Sequence, residues 1–379
     1  MLPSVGRKLC MALLLLCPTE MKSHAQGPPT WRLVEEQQWS GETNLFTKIS
    51  AILPISGGSI LVVEPREARM RVFDESGKQE RSIGREGRGP GEFVRLAAAG
   101  LFADTLWATD VNLRRTSLFR TSGDLVSTLP WNVLGEVGNE PTNLVGGLFA
   151  DGTAWGEKDR AAATISGPEL PRAILRLARS ARSMDTLAVV ETAHTLFNVM
   201  DGPTMNLGPQ PFADAPLVVG STSRSRVYVV LRSAALTRQK SVVRVVAVNA
   251  KGDTAWSREY PYAPRPLERR TADSVLNRTH YGMRRSGATL DAVRSVLFLP
   301  ANRPPVSAAV AADDGTLWLR REAGQSTVEY WVISADGSLV GSVTVASNVS
   351  IAAASRDHVW AIRSDADDVP SVVRYRISR

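Results

Sequence analysis

The chain has 379 residues, of which 43% are hydrophobic and 22% charged, and its formal net charge is +7. Both cysteines, Cys10 and Cys17, lie near the N-terminus, which excludes thiol catalysis, zinc–cysteine sites and iron–sulfur clusters from the rest of the chain. The basic residues are scattered rather than clustered, so the charge does not predict a nucleic-acid-binding surface.

Residues 1–25 have the pattern of a secretory signal peptide. Two basic residues precede a short apolar segment, 9–17, and Ser23 and Ala25 occupy the small-residue positions of a cleavage site. We therefore expect cleavage before Gln26 and export to the periplasm or the extracellular space. The apolar segment is too short to span a bilayer, which needs about 20 residues, and no later segment is apolar enough.

A lipoprotein signal is the alternative interpretation of this N-terminus, with Cys17 as the lipidated residue. Leu16 precedes Cys17, and a lipoprotein signal has a small residue at that position. We therefore expect a chain without a lipid anchor.

One sequence motif recurs six times along the chain: a turn residue, a short polar step and an apolar strand with a bulky residue at its third position. The bulky residues are Leu61, Trp107, Trp155, Tyr228, Trp318 and Trp360. Runs of small apolar residues precede these strands, and a further strand follows each one, mostly ending four residues before a glycine. A glycine there permits the positive φ that a short hairpin loop requires.

Each unit thus contains four strands, A to D in chain order, and six such units predict an all-β fold, a six-bladed β-propeller over residues 26–379. The small residues of strand A suit the crowded central axis, and the bulky residues of strand B suit the gap between blades. The sixth unit stops at strand C, because the chain ends at Arg379. We expect the segment 31–39 to supply strand D of this last blade and close the ring.

The glycine-rich segment 82–93, SIGREGRGPGEF, joins the first two units. It is not a dinucleotide-binding fingerprint, because Glu92 stands where the third glycine belongs. It is not a P-loop either, because Pro90 stands where the lysine belongs. We predict a turn.

This segment and its flanking strands resemble the repeat of NHL-type propellers and, more closely, the exported bacterial six-bladed β-propeller proteins with the loop G-x-x-G-x-G-P-G-E-F. Glu64 with Arg69, and Asp110 with Arg115, keep the five-residue spacing of the NHL acid and arginine, and each arginine is expected to pair with its acid. The NHL asparagine is absent, with Leu113 in its place. The resemblance implies a propeller without an assigned chemistry, since this family includes lyases, lactonases and binding modules.

Two of the spacings between units are long. Between Trp155 and Tyr228 we expect the extra length to lie in loops. The insert 261–305, between blades 4 and 5, is expected to form two short amphipathic helices, with Asp291 near one N-terminus. It lies on the face of the D–A and B–C loops, where propeller ligands usually bind. A lid over a site and a cover for an exposed blade edge both remain open.

Five arginines of the B–C loops are the candidate ligand-binding residues: Arg66, Arg114, Arg232, Arg238 and Arg321. If several converge, they can bind carboxylates, phosphates or an acidic protein patch, because a guanidinium group binds such groups in a bidentate manner. The alternative is that each is solvated or pairs with an acid of its own blade.

The histidines after the signal peptide, His194, His280 and His358, lack metal-ligand spacing, and we assign no catalytic residue. Five residues near the inner ends of strands A are candidate calcium ligands, because calcium prefers oxygen donors: Asn44, Glu92, Asn143, Asp214 and Asn348. Turn chemistry alone also places Asn and Asp at such positions. No other cofactor is expected.

These patterns predict an exported, monomeric binding module for a protein, or for an anionic small molecule or glycan, on the channel face. One alternative is a calcium-dependent propeller hydrolase or lactonase. The other is a structural subunit of an envelope complex. Neither a nucleic-acid partner nor a transmembrane segment is expected.

Overall fold

The computed structural model describes residues 27–379, apart from 103, 131–141, 150, 152, 159–171, 178–183, 191–193, 202–203, 221–224, 234–240, 285–286 and 325. The signal-peptide prediction, residues 1–25, lies outside the described residues. Within them, the expected all-β class is confirmed, since strands dominate and helices are few. None of the described helices has both the length and the apolar character that crossing a membrane requires.

Four sheets have four antiparallel strands each. The first contains β2 (Ala51–Pro54), β3 (Ile60–Glu64), β4 (Arg69–Phe73) and β5 (Gln79–Ile83). The second contains β6 (Leu96–Phe102), β7 (Thr105–Asp110), β8 (Arg115–Arg120) and β9 (Leu125–Pro130). The third contains β10 (Thr142–Leu148), β11 (Ala154–Lys158), β12 (Arg172–Leu177) and β13 (Met184–Val190). The fourth contains β16 (Leu217–Gly220), β17 (Arg226–Leu231), β18 (Val242–Asn249) and β19 (Thr254–Pro261).

A sheet of eight strands contains both ends of the described chain. Its early strand is β1 (Thr30–Trp39), and its later strands are β20 (Ala308–Ala311), β21 (Leu317–Glu322), β22 (Thr327–Ile333), β23 (Leu339–Ala346), β24 (Val349–Ala354), β25 (His358–Ser364) and β26 (Pro370–Ser378). The order across this sheet is β20-β21-β22-β23-β1-β26-β25-β24. β1 makes only a short parallel contact with β23, at Thr30 and Trp31, but pairs with β26 in the antiparallel sense along most of its length.

The sheets are arranged around an axis in a propeller-like manner. Six strands, called here the first strands, contact one another in turn around the axis: β2 with β6, β6 with β10, β10 with β16, β16 with β20, β20 with β24, and β24 with β2. Of these, β20 and β24 belong to the same eight-stranded sheet. The second strand of each group carries the recurring bulky residue, and all of these side chains are buried, from Leu61 at 1% exposed to Trp360 at 8%.

Glycine makes the tight turns between third and fourth strands possible. Gly77, Gly123, Gly252 and Gly337 all have positive φ, between 88° and 101°. This is the left-handed region in which only a residue without a Cβ is unstrained. The turn signal in the sequence therefore corresponds to a backbone requirement in the structure.

The hydrophobic core is divided into clusters that lie between neighbouring sheets. In one of them, Tyr228 and Trp256 of the fourth sheet pack with Leu317 and Trp331 of the next. The hydroxyl of Tyr228 also donates to the backbone oxygen of Gly315, 3.0 Å away in that neighbouring sheet. Burial of these aromatic side chains stabilises the contact between sheets, since an aromatic side chain can bury about 150–250 Å².

The glycine-rich segment 82–93 forms a turn, as its sequence indicates. Gly84 has φ 79°, and a Cβ there would lie 2.4 Å from the ring of Phe93. Phe93 is fully buried between the first two sheets. The Glu92 carboxylate accepts the amide of Gly89 at 2.7 Å and Nε of Arg85 at 2.8 Å, which holds its pKa below the usual value.

The expected ion pair between Asp110 and Arg115 is not formed, although the two residues face each other across β7 and β8. The Asp110 carboxylate instead accepts four backbone amides, those of Val94, Arg95, Asn112 and Leu113. The guanidinium of Arg115 donates to three carbonyl oxygens of the glycine-rich turn, those of Arg88, Gly89 and Glu92. Both side chains thus hold the connection between the first two sheets.

The expected pair of Glu64 with Arg69 is present at 3.4 Å, but a second arginine binds Glu64 more closely. Arg71 approaches the Glu64 carboxylate with Nε at 2.5 Å and Nη2 at 2.9 Å. Glu64 is fully buried, and Arg71 lies over the rings of Phe46 and Phe73. Because a buried charge is costly without a partner, this bidentate contact is a requirement of the first sheet.

The described helices and 3₁₀ turns lie between the strands. Helix α1 (Gly41–Asn44) follows β1, and two 3₁₀ turns occupy Ser56–Gly58 and Pro65–Glu67. Within 261–305 the expected helices are present as α2 (Arg269–Met283) and α3 (Leu290–Val296). Thr289 caps α3, and Asp291 lies in its first turn.

The extra length between the third and fourth sheets is not all loop, in contrast to the prediction from the sequence. It contains a hairpin, β14 (Leu196–Asp201) with β15 (Thr204–Pro209). This hairpin is not paired with any described strand of the four-stranded sheets. It forms because its apolar side chains pack against α2 and α3, a long-range contact that local sequence signals do not reveal.

Strand β1 joins the two ends of the described chain, since it pairs with β26, with Leu33 opposite Ile377, and also contacts β23 at its first two residues. Trp31 is 8% exposed, and its ring meets that of Trp318 edge-on at 6.2 Å. A Cβ on Gly341 would lie 2.4 Å from the Trp31 ring. The side chain of Trp31 is therefore tightly packed against β21 and β23.

We predict that a chain beginning at Gly41 has a much lower free energy of unfolding than one beginning at Gly27, because β26 would expose an unpaired edge. Within the intact chain, Trp31→Ala should cost about 3–5 kcal/mol of unfolding free energy, as expected for a buried tryptophan. Val34→Ala, in the same strand but exposed, should cost less than about 0.5 kcal/mol. Urea denaturation monitored by circular dichroism measures all three. Equal stability of the two chain lengths would contradict a closing role for β1.

Candidate functional site

A cavity of about 640 Å³ lies between the helical insert and the sheet strands β21 and β22. Its charged lining residues are Arg265, Glu268, Arg270, Arg303, Arg320 and Glu322. The insert supplies the first four of these, and β21 supplies the other two. We call this space the arginine cavity. It lies at the ends of the strands where the β19–β20 and β21–β22 connections meet, the face on which the sequence predicts ligand binding.

The arginines of this cavity are held to different degrees. Arg303 pairs with Glu322 and donates to the hydroxyl of Thr271 at 3.2 Å. Arg265 donates to the carbonyl oxygen of Ala323. Arg320 donates through Nη1 to the hydroxyl of Ser307 at 3.0 Å, while its Nε is buried without a hydrogen-bond partner in the described residues.

Arg270 differs from the other three, because it makes no hydrogen bond or ion pair with any described residue. It lies in the first turn of α2, where there is no acidic side chain and where Glu268 at the cap position makes no capping hydrogen bond. Arginine is unfavourable at a helix N-terminus, since the helix dipole is positive there. The arrangement concentrates positive charge around the cavity.

Short backbone contacts hold the two ends of the insert together at the cavity. The amide of Arg303 donates to the carbonyl of Arg265 at 2.8 Å, and the amide of Leu267 donates to the carbonyl of Ala301 at 3.0 Å. An Arg-Pro pair at each end of the insert, 265–266 and 303–304, is the sequence signal for this approach. Sequence reasoning missed both arginines because it searched only the B–C loops.

The predicted arginine Arg321 lies beside Arg320 but on the opposite face of β21, because successive side chains of a strand alternate. Its guanidinium lies 3.6 Å from the centroid of the Trp331 ring and 3.0 Å from Glu329. Burial lowers the pKa of Arg321 from its usual value, and the positive charge of Arg265 acts in the same direction. Arg321 is thus held by its own sheet.

The other predicted arginines are dispersed. Arg232 is buried and donates to the carbonyls of Ala215 and Val306, both at 2.7 Å, so it joins the segments that lead into β16 and β20. Arg66 and Arg114 are exposed, and Arg114 has φ 51°. Arg238 lies outside the described residues. Ligand binding by these residues stays a prediction.

The predicted calcium ligands are used in separate local contacts. Asn44 donates to the carbonyl of Ser40, and Asn348 donates to that of Ser364. Asp214 lies 3.2 Å from Nδ1 of His194, whose ring stacks on Phe298. Glu92 belongs to the glycine-rich turn, and the side chain of Asn143 lies outside the described residues. Among the described residues no group of three or more His, Asp or Glu side chains is placed to hold a metal. A calcium site stays a prediction.

A second cavity, of about 380 Å³, lies on the axis and is lined by all six first strands. Its lining residues come from the later halves of these strands, next to the turns that lead into the second strands. It therefore lies towards the opposite ends of the strands from the arginine cavity. Its walls are small residues, mainly alanine and glycine, together with the indoles of Trp107 and Trp155 and one acid, Asp313. We call it the axial cavity.

The insert wall of the arginine cavity is held by the hairpin β14–β15. Leu276 and Val293 of the insert pack with Phe197 and Val199 of the hairpin. Gln210, just after the hairpin, donates to the carbonyl of Val296 and accepts the amide of Phe298, both at 2.8 Å. We call this group the satellite cluster. The insert is thus packed against this hairpin, and its role as a lid or as a cover for a blade edge stays a prediction.

Comparison with known proteins supports the fold. Residues 41–100 match a family described as 6-bladed beta-propeller, which confirms the resemblance to bacterial propellers of that kind. No curated protein sequence matches the chain. A solved structure of a DUF4221 family member from Bacteroides vulgatus has 9% identity and a TM-score of 0.52, covering 93% of this chain and 99% of that one, so the two share a fold.

Two further solved structures are similar at a lower level. Virginiamycin B lyase from Staphylococcus aureus has 10% identity and a TM-score of 0.46, with 92% of this chain and 99% of that chain covered. A gluconolactonase from Xanthomonas campestris has 12% identity and a TM-score of 0.43, with 92% and 96% covered.

We predict that Leu276→Ala speeds amide hydrogen exchange in α2, α3 and β14–β15 together, because it opens a void in the satellite cluster worth about 2–5 kcal/mol. Tyr281→Ala, on the exposed side of the same helix, should leave exchange there unchanged. Mass spectrometry of peptides from the two variants measures this. Faster exchange in α2 alone would mean that insert and hairpin are not one unit.

Proposed function

We propose that the protein is an exported six-bladed β-propeller that binds an anionic ligand in the arginine cavity. The single observation that carries the binding proposal is the convergence of four arginines from the insert and the sheet on a cavity of about 640 Å³.

Six blades are supported by the way in which the eight-stranded sheet divides. The contact of β1 with β23 involves only two residue pairs, whereas each remaining contact in that sheet is a longer antiparallel ladder. Division at this contact leaves two groups of four strands, β20 to β23 and β24 to β26 with β1. With the four separate sheets, this makes six blades.

Export is supported by the signal-peptide pattern of residues 1–25. We expect a chain that begins at Gln26, lacks a lipid and resides as a monomer in the periplasm or outside the cell. Intact-mass measurement of the protein recovered from outside the cytoplasm tests this expectation. A diacylated chain beginning at Cys17 would contradict it, as would a mass that still includes residues 1–25.

An anion is the ligand class favoured by the balance of charges. Four arginines and two glutamates line the arginine cavity, and one arginine, Arg303, is already paired with Glu322. Arg270 lines the cavity and makes no hydrogen bond or ion pair with any described residue, so its guanidinium keeps donor capacity that an anion would satisfy. A guanidinium group has a planar fork of donors that matches carboxylate, sulfate and phosphate.

The N-terminus of α2 adds to this preference. Its first backbone amides point out of the helix and have no intrahelical acceptor, as at every helix start. The positive end of the dipole lies beside the arginines, and Glu268 at the cap position is the one acid next to it, so a further negative charge would be stabilised there. A bound anion would relieve this conflict between sequence and local structure.

The size of the arginine cavity suits a small organic ligand. Ligand cavities in proteins commonly have volumes of about 300–1,000 Å³. Hydroxyl groups of Thr271, Thr327 and Ser347 also line it, and these can bind the hydroxyl groups of a sugar. We therefore favour a carboxylated or sulfated saccharide, or a metabolite with two or more carboxylates, over an acidic protein surface.

We predict that isothermal titration shows saturable binding of citrate, glucuronate or sulfate and none of glucose. The double variant Arg270→Ala, Arg320→Ala should bind the anion at least about tenfold more weakly, because each charge-assisted hydrogen bond contributes about 1.5–3 kcal/mol. Arg269→Ala removes the same charge from the same helix turn, but its side chain is almost fully exposed and pairs with Asp273. This control should bind the anion as the parent protein does.

Two outcomes would contradict the proposal. The first is the absence of anion binding by the parent protein. The second is an equal loss of affinity in the double variant and in Arg269→Ala, which would indicate attraction by net charge rather than a site.

A further inference from the structure

The axial cavity is a second, partly open space, and its lining contains one charged residue, whereas that of the arginine cavity contains six. Small residues build most of its wall, among them Ala99, Gly146 and Ala353. They must be small because the first strands approach each other closely around the axis. The result is a cup walled largely by small side chains and formed by the fold itself rather than by an insert.

Tryptophan rings pack directly against glycine backbone in one wall of this cup. A Cβ on Gly100 would lie 2.5 Å from the ring of Trp107, and a Cβ on Gly220 would lie 2.6 Å from the indole of Trp155. Gly147 is in the same position relative to Trp155, at 2.7 Å. Each indole is therefore pressed against bare backbone on one side, and both rings line the cavity.

Asp313 is the one charged residue among those that line the axial cavity. It directly follows β20 and Ala312, and its amide donates to the carbonyl of Ala354, which fixes the backbone between two neighbouring first strands. Desolvation, and then the charge of Asp314, raise the pKa of the Asp313 carboxyl. A carboxylate in this position lacks a cationic partner among the lining residues.

We propose that the axial cavity binds a small organic cation, an ammonium group with an apolar substituent. Asp313 would bind the positive charge, and the indoles of Trp107 and Trp155 would contact the cation and its substituent. Tryptophan is the best aromatic partner for a cation within about 6 Å of its ring. The apolar walls would bury the substituent, which is the usual division of labour in small-molecule cavities.

Other occupants fit this cavity less well. Calcium takes about 6–8 oxygen ligands, whereas Asp313 supplies the one carboxylate of the lining. An anion would face that carboxylate without a compensating arginine.

The proposal is tested with benzyltrimethylammonium as the probe, with benzyl alcohol as its neutral counterpart and benzoate as its anionic counterpart. Because two tryptophans line the cavity, binding should change the intrinsic fluorescence, and calorimetry gives the affinity independently. We expect saturable binding of the cation, at least about tenfold weaker binding of benzyl alcohol, and no binding of benzoate at this site.

Two isosteric variants separate a specific carboxylate from general charge. Asp313→Asn should weaken cation binding at least about tenfold. Asp314→Asn removes the same charge from the next residue, whose carboxylate caps Thr316 instead of lining the cavity. It should bind the cation as the parent protein does, and thermal melting shows that both variants are folded. Trp107→Phe should reduce the fluorescence change without abolishing the fold.

The proposal is wrong if the parent protein shows no saturable binding, or if Asp313→Asn and Asp314→Asn bind the cation equally. It is also wrong if benzyl alcohol binds as tightly as the cation, since the site would then be merely apolar. The double variant Arg270→Ala, Arg320→Ala should bind the cation normally. The two sites can therefore fail or succeed independently.

Discussion

The packing of a bulky side chain from one sheet against a small residue of the next is the contact on which the rest of the structure depends. The indole of Trp155 lies against Gly220 of the following sheet, at a distance that leaves no room for a Cβ. Tyr228 also links two sheets, because its hydroxyl donates a hydrogen bond to the backbone oxygen of Gly315. These contacts set the spacing of the sheets, and the spacing determines how much room remains on the axis.

The elements that could be predicted from the sequence are those specified by local geometry. A strand in which apolar and polar residues alternate, followed by a turn glycine, can be recognised without knowledge of its distant partners. Gly77 and Gly337 are such glycines, and both have positive φ. The role of β1 could also be predicted, because an unpaired edge on β26 has to be covered by some strand. These inferences depend on backbone requirements that few residue types can satisfy.

The candidate sites were less accessible to prediction, because side-chain direction and long-range packing decide them. The choice between Arg320 and Arg321 depends on which face of β21 meets the insert, and the period of a strand does not say which face that is. Asp110 and Arg115 have the spacing of an ion pair, yet the glycine-rich turn offers both of them more hydrogen bonds. The hairpin β14–β15 exists only through its contact with the insert.

The two cavities differ in how readily their walls can move. The axial cavity is walled by first strands that contact each other around the ring, so its shape cannot change unless whole sheets move. One wall of the arginine cavity is α2, which buries Leu276 as its one fully enclosed described residue and is anchored through the satellite cluster. A ligand on the axis therefore meets a preorganised site, whereas a ligand under α2 can alter the position of its own wall. The two cavities nevertheless share one sheet, because β21 supplies Arg320 and Glu322 to the arginine cavity and the neighbouring β20 supplies Ala311 to the axial cavity.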